Sequence, residues 1–266
     1  MTTDHRIRLI VPLCFYGFGE VMKKFLAVVS YDGTDFFGFQ AQKDVRTVQK
    51  VIEEALERIF KQKTSTVAAG RTDTGVHAIG QVVLFSCPIE IDASSMKNAL
   101  NANLPDDVYV RKVSEVGEKF HPRFDARRRI YNYFIYNSKE PNLFLRRYAW
   151  WFPYELNIEK MRAAAKFLEG EHDFKSFTKS DDSQQKTVRT IYRIRIVKLR
   201  GRLILIRVEG RSFLRRMVRN IVGSLVKVGT GEWEPERIKE ILELKDRSQA
   251  AATAPSHGLY FYSVEF

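Results

Sequence analysis

Cysteine is almost absent from this 266-residue chain; Cys14 and Cys87 are the only two. Two thiols build neither a disulfide framework nor a four-thiolate zinc site. An unstapled chain of this length suits a reducing, cytoplasmic setting. Long apolar runs are missing too. The stretch from Leu9 to Phe18 is broken by Pro12 and Gly17, is too short to cross a bilayer and lacks an Ala-x-Ala-like cleavage site. No membrane partner is expected. Nor is there a glycine-rich phosphate loop, a G-x-G-x-x-G after a strand, or a G-x-S-x-G elbow. The five histidines, His5, His77, His121, His172 and His257, have no i, i+4 partner and no Cys-x-x-Cys companion. No metal or cofactor is therefore expected, and each histidine reads as a surface or capping residue.

What the chain has in excess is positive charge. Its 44 Lys and Arg stand against 32 Asp and Glu, a formal net charge of +12, which favours a polyanionic partner and above all nucleic acid. A hydrophobic content of 44% with 29% charged residues excludes global disorder. Residues 1–21 read as a dispensable extension, because a cleaner strand, Phe25 to Ser30, opens after Met22.

Val48, Val51, Ile52, Ala55, Leu56, Ile59 and Phe60 recur at helical spacing. A strand from Gln81 to Ser86, a helix from Ser95 to Leu104, and strands Val108–Val113 and Ile130–Tyr136 follow. Asn157 caps a helix expected to run to about Glu169. Thr190–Leu199 and Leu203–Glu209 form a hairpin around Gly201, followed by helices Phe213–Val228 and Pro235–Leu244 and a last strand, Leu259–Phe266. Strands and helices mix without strict alternation, so the fold class is α+β. The polar stretch His121–Arg129 is the best boundary, dividing 22–126 from 127–266.

The densest polar cluster is Gly70-Arg71-Thr72-Asp73-Thr74-Gly75-Val76-His77. Its glycines allow a tight turn and close approach to a ligand, and a cation and an anion sit between them. On its own, Asp73 there fits an Asx turn as well as a catalytic role. The loop and the strand after it closely resemble the catalytic motif of the tRNA pseudouridine synthase A family. Other segments match that family in order: Tyr31-Asp32-Gly33 with Phe36 to Gln40, Asn101 to Pro105, Phe120 to Phe124, Tyr131-Asn132-Tyr133, Met217 to Gly223 and Ala254 to Tyr260. The match runs from about Met22 to the C-terminus. Phe39 departs from it, since relatives often carry Trp there, but it keeps an aromatic face.

The resemblance implies two related α+β halves of mixed sheet flanked by helices, a catalytic cleft between them, and a homodimer. It implies isomerisation of uridine to pseudouridine at positions 38, 39 and 40 of the tRNA anticodon stem-loop. Asp73 matches the aspartate that begins glycosidic cleavage, a task suited to a carboxylate that can attack carbon or take a proton. Tyr131 matches the tyrosine that stacks on the target base, and Arg219 the basic residue paired with the aspartate. Arg71 matches the arginine that displaces the target nucleotide, and Leu259 an apolar residue packed against the site. Arg123, Arg127, Arg128, Arg129, Arg215 and Arg216 cluster near these elements and are expected to contact RNA phosphates. Two rivals stand beside this reading. One is a non-catalytic RNA-binding protein; the other is a hydrolase pairing Asp73 with a second carboxylate such as Asp125, which would release free uracil.

Overall fold

The computed structural model describes residues 22–178 and 186–266. The extension 1–21, with His5 and Cys14, lies outside the described residues. β1 (Lys23–Tyr31) buries Phe25, Ala27, Val29 and Tyr31 while the side chains between them are half covered, the period of a strand laid on a core. α1 (Val48–Phe60) starts where the Thr47 hydroxyl accepts the Lys50 N–H, and it buries the apolar stripe apparent in the sequence. β2 (Thr66–Ala68) and β3 (His77–Cys87) flank the polar loop. α2 (Ala93–Asn103) is capped by the Asp92 carboxylate, which accepts the N–H groups of Ser94 and Ser95.

β4 (Val108–Val116), β5 (Arg128–Asn137) and β6 (Trp150–Phe152) follow. Next come α3 (Ile158–Lys166), β7 (Gly170–Asp173), β8 (Val188–Lys198) and β9 (Leu203–Gly210). α4 (Met217–Gly229), α5 (Arg237–Leu244) and β10 (Leu259–Glu265) complete the chain.

The strands form one sheet in the order β4-β1-β3-β10-β5-β9-β8-β7, with β2 added beside β3 and β6 beside β5. The fold is α+β, as expected. β10, last in the chain, lies between β3 and β5, so the sheet continues from one half of the sequence into the other. Its antiparallel pairing with β5 extends from Leu259↔Tyr133 to Glu265↔Arg128. Its parallel junction with β3 is only Tyr260↔His77 and Phe261↔Ala78. One apolar cluster joins both halves through the helices.

Three local expectations need correction, and two short strands were not expected. β3 begins at His77, four residues before the expected Gln81, because the parallel junction with β10 recruits the end of the polar loop. α3 stops at Lys166, and Gly170, with φ +105°, opens β7 instead of merely ending a helix. α4 begins at Met217, not Phe213; Arg216 takes φ +61° and breaks helical geometry just ahead of it. β2 and β6 span three residues each, too few for alternation to show in a sequence.

Packing is tight where α4 meets the segment before β10. A Cβ at Gly223 would stand 2.1 Å from the Ala252 carbonyl oxygen. Gly223→Ala gains about 1 kcal/mol of helix propensity but forces backbone apart, at about 1–3 kcal/mol or more. Thermal unfolding should show a melting temperature several degrees lower; an unchanged or higher value would contradict this packing.

Candidate active site

The loop between β2 and β3 carries Asp73 and is held from several directions. The Arg129 guanidinium donates twice to the Ala69 carbonyl, at 3.1 and 2.9 Å. Gln81 Nε2 donates to the Gly70 carbonyl at 2.8 Å. On the far side, the Tyr31 hydroxyl shares a 2.8 Å hydrogen bond with Thr72 Oγ1, and Phe39 N–H donates to the Thr72 carbonyl at 3.1 Å. Gly75 N–H closes onto the Phe36 carbonyl at 3.2 Å. Gly33 lets the opening segment come this close: a Cβ there would lie 2.0 Å from the Val76 carbonyl oxygen. Burial pushes the Tyr31 hydroxyl up to about 12, so it stays protonated and its bond to Thr72 persists through neutral pH.

Arg219, on the first turns of α4, reaches across the sheet to this loop. Its Nη1 lies 3.2 Å from Asp73 Oδ2, and its Nε donates to the Ala254 carbonyl at 2.7 Å. Ala254 N–H returns a bond to the Arg219 carbonyl, so the arginine is fixed at both ends. The Arg219 and Asp73 side chains remain 14% and 25% exposed. The pair is thus a charge-assisted hydrogen bond at the edge of solvent, within reach of an incoming substrate.

Tyr131, on β5, is buried beside the loop: a Cβ at Gly70 would lie 3.8 Å from its hydroxyl. Phe213 and Phe261 meet its ring edge-on, with centroids 5.0 and 5.1 Å away and planes at 80°. Burial raises the Tyr131 hydroxyl pKa well above its ordinary value despite the Arg129 cation nearby, so the phenol is neutral. Leu259 is buried on β10, opposite Tyr133 of β5. Arg71 is exposed on the loop.

The basic residues expected at RNA divide by environment. Arg123, Arg127, Arg215 and Arg216 are exposed. Arg128 faces two carboxylates, Glu209 and Glu265, each at 3.6 Å. Arg129 is buried, and besides Ala69 it serves the carbonyls of Arg211 and Arg123 at 2.6 and 2.8 Å. It braces the loop from beneath. Asp125 accepts the His121 N–H at 2.9 Å and closes a turn.

His77 departs from the expectation for histidines: it is 1% exposed, sealed where β3 meets β10. Residue-type statistics favour the surface, and only its place after the polar loop hinted otherwise. Tyr31, Gln81 and Arg129 also acquire roles that spacing does not show: Tyr31 holds the Thr72 hydroxyl, and Gln81 and Arg129 hold carbonyls of the loop and its approach. Among the described residues, no group of three or more His, Cys, Asp or Glu is placed to hold a metal ion. None of the described helices is long and apolar enough to cross a membrane.

The sequence model described as tRNA pseudouridine synthase matches residues 27–125 and 164–266, one segment in each half. The protein called tRNA pseudouridine synthase A in Pseudothermotoga lettingae is 73% identical over 245 residues, 92% of this chain and all of that one. Its namesake in Thermotoga maritima is 64% identical over 246 residues, again 92% of this chain and all of the relative. Among solved structures, the archaeal box H/ACA sRNP Nop10-Cbf5 complex is similar at 14% identity and a TM-score of 0.36. That likeness covers 76% of this chain and 43% of the other, and it is too loose to carry an argument. The family model and these relatives place the chain among the pseudouridine synthases, which are isomerases. The chain belongs to the tRNA pseudouridine synthase A family.

The division among the arginines is testable. Arg129→Met leaves three backbone carbonyls without their donors and should lower stability by about 1–3 kcal/mol, with the salt dependence of tRNA binding unchanged. Arg127→Ala should leave stability alone and reduce the slope of log K against log salt by about one. Denaturant melts and filter binding across a salt series check both; the reverse pattern would contradict the assignment.

Proposed function

We propose that the Asp73 carboxylate initiates glycosidic-bond cleavage at uridines 38, 39 and 40 of the tRNA anticodon stem-loop. The observation that carries this reading is the 3.2 Å pairing of Asp73 with Arg219, residues 146 positions apart. Arg219 engages Oδ2, which orients Oδ1 toward the target nucleoside. The reaction needs no co-reactant: the N1–C1′ bond breaks, a C5–C1′ bond forms, the hydrogen on C5 leaves as a proton, and N1 takes up a proton in its place. Attack on the base, attack on the sugar and elimination to a glycal can all begin at this one carboxylate.

The target uridine must leave its stack, which costs a few kcal/mol. The Tyr131 ring, packed at 80° against Phe213 and Phe261, is the stacking surface this reading assigns to the displaced base. Arg71, exposed on the same loop, is suited to occupy the space the nucleotide vacates. The exposed Arg123, Arg127, Arg215 and Arg216 supply phosphate contacts, with Arg128 at their rim, and the +12 net charge supports an RNA stem read by shape and backbone. Leu259 packs below the site. In this reading the enzyme works in the cytoplasm, where its tRNA substrate resides, and as a homodimer.

Asp73→Ala removes the initiating group and leaves the arginines in place. Release of tritium from C5-labelled tRNA should cease, while the gel shift of tRNA and the melting temperature stay near wild type. Release at wild-type rate would overturn the role of Asp73. A wild-type protein that binds tRNA but releases no tritium would favour the non-catalytic rival, and free uracil in the products would favour the hydrolase.

A further inference from the structure

β3 and β10 meet over only two residue pairs, a ladder too short to fix its own register through backbone bonds. His77 supplies the side-chain part of that junction. Its ring stacks on Tyr260 with centroids 4.7 Å apart and planes 23° from parallel. In the neutral ring, Nε2–H donates to the Arg147 carbonyl at 2.8 Å and Nδ1 accepts the Gly33 N–H at 3.0 Å. Burial lowers the ring's pKa and outweighs the nearby Asp32 carboxylate, so the neutral form prevails at pH 7.

Asp32 Oδ1 lies 3.1 Å from Nδ1, while Oδ2 accepts the Tyr148 hydroxyl at 2.8 Å. The Tyr260 hydroxyl donates to the Tyr148 carbonyl, also at 2.8 Å. One imidazole thus ties together the turn after β1, the segment before β6, and β10.

Both members of the Asp73–Arg219 pair are referenced to this junction. Asp73 precedes His77 by four residues, and Ala254, whose carbonyl holds Arg219, precedes Tyr260 by six. A one-residue slip between the strands would displace the loop by about 3.3 Å. That equals the entire 3.2 Å separation of Asp73 and Arg219. We propose that His77 is a positioning residue for the isomerisation: its imidazole, bonded to the Gly33 turn that Asp32 holds through Thr34 and the Tyr148 hydroxyl, sets β3 against β10 so that Asp73 meets Arg219. This rests on Asp73 initiating the reaction.

The test measures single-turnover tritium release and tRNA affinity for His77→Gln and for Tyr148→Phe, each alone and combined with Arg219→Lys. Tyr148 is 40% exposed, so losing its hydroxyl leaves the core intact even if the His77 variant fails to fold. Turnover should fall about tenfold or more in either variant, with the dissociation constant changed less than about twofold. With Arg219→Lys already present, the further loss should shrink below about twofold, because the pairing being positioned is already broken. An equal loss in both backgrounds, a loss confined to binding, or wild-type turnover in Tyr148→Phe would overturn the proposal. Asp73→Asn, assayed alongside, separates the two claims. Its full activity would defeat the role of Asp73, whereas an inert Asp73→Asn beside a fully active Tyr148→Phe would defeat only the role of His77.

Discussion

Tyr260 beside His77 and Phe261 beside Ala78 are the only ladder pairs between β3 and β10, yet Asp73 and the anchor of Arg219 both lie a few residues from that seam. On one side the strand leads back into the loop that carries Asp73. On the other it leads back to Ala254, the anchor of Arg219. Residues separated by most of the chain therefore meet because two strands meet. The long antiparallel pairing of β10 with β5 secures the same strand to the half that carries Tyr131, so the Tyr131 ring, the Asp73 carboxylate and the Arg219 guanidinium share one frame. A parallel contact this brief is weak by itself. Side chains and packing must complete it, and the polar cluster around His77 does so.

Charge serves two purposes in this frame. Arg129 and Arg219 are committed to named backbone carbonyls and, for Arg219, to Asp73; their cations organise the site. Arg71, Arg123, Arg127, Arg215 and Arg216 are left exposed, available to a polyanion. Counting cations reveals the second purpose and hides the first, because a buried arginine and a solvated one contribute equally to net charge.

Much of the architecture was legible in the sequence. The apolar stripe of α1, the hairpin of β8 and β9, and the Asn157 cap all follow from local periodicity and side-chain chemistry. The loop with Asp73 stood out by composition, and the ordered family motifs pointed to Tyr131 and Arg219 at positions the structure brings near it. What escaped was non-local. The early start of β3 at His77 depends on a strand at the far end of the chain. The burial of Arg129 depends on carbonyls of residues 69, 123 and 211. Tyr31 ends β1, and its hydroxyl also holds Thr72 next to Asp73. Apart from the Arg123 carbonyl, six residues from Arg129, these partners lie 60 or 82 residues from Arg129 and 41 from Tyr31, beyond any local pattern.

The role proposed for Asp73 is one of placement: its oxygen is held at a fixed point opposite Arg219, and charge alone does not suffice. Asp73→Glu keeps the carboxylate and adds one methylene, shifting the oxygens by roughly 1 Å, a displacement that can cost about a hundredfold in rate. Single-turnover pseudouridine formation at saturating tRNA is the direct measurement. The account predicts a rate about a hundredfold below wild type with tRNA affinity unchanged. A Glu variant that turns over at nearly the wild-type rate would contradict it.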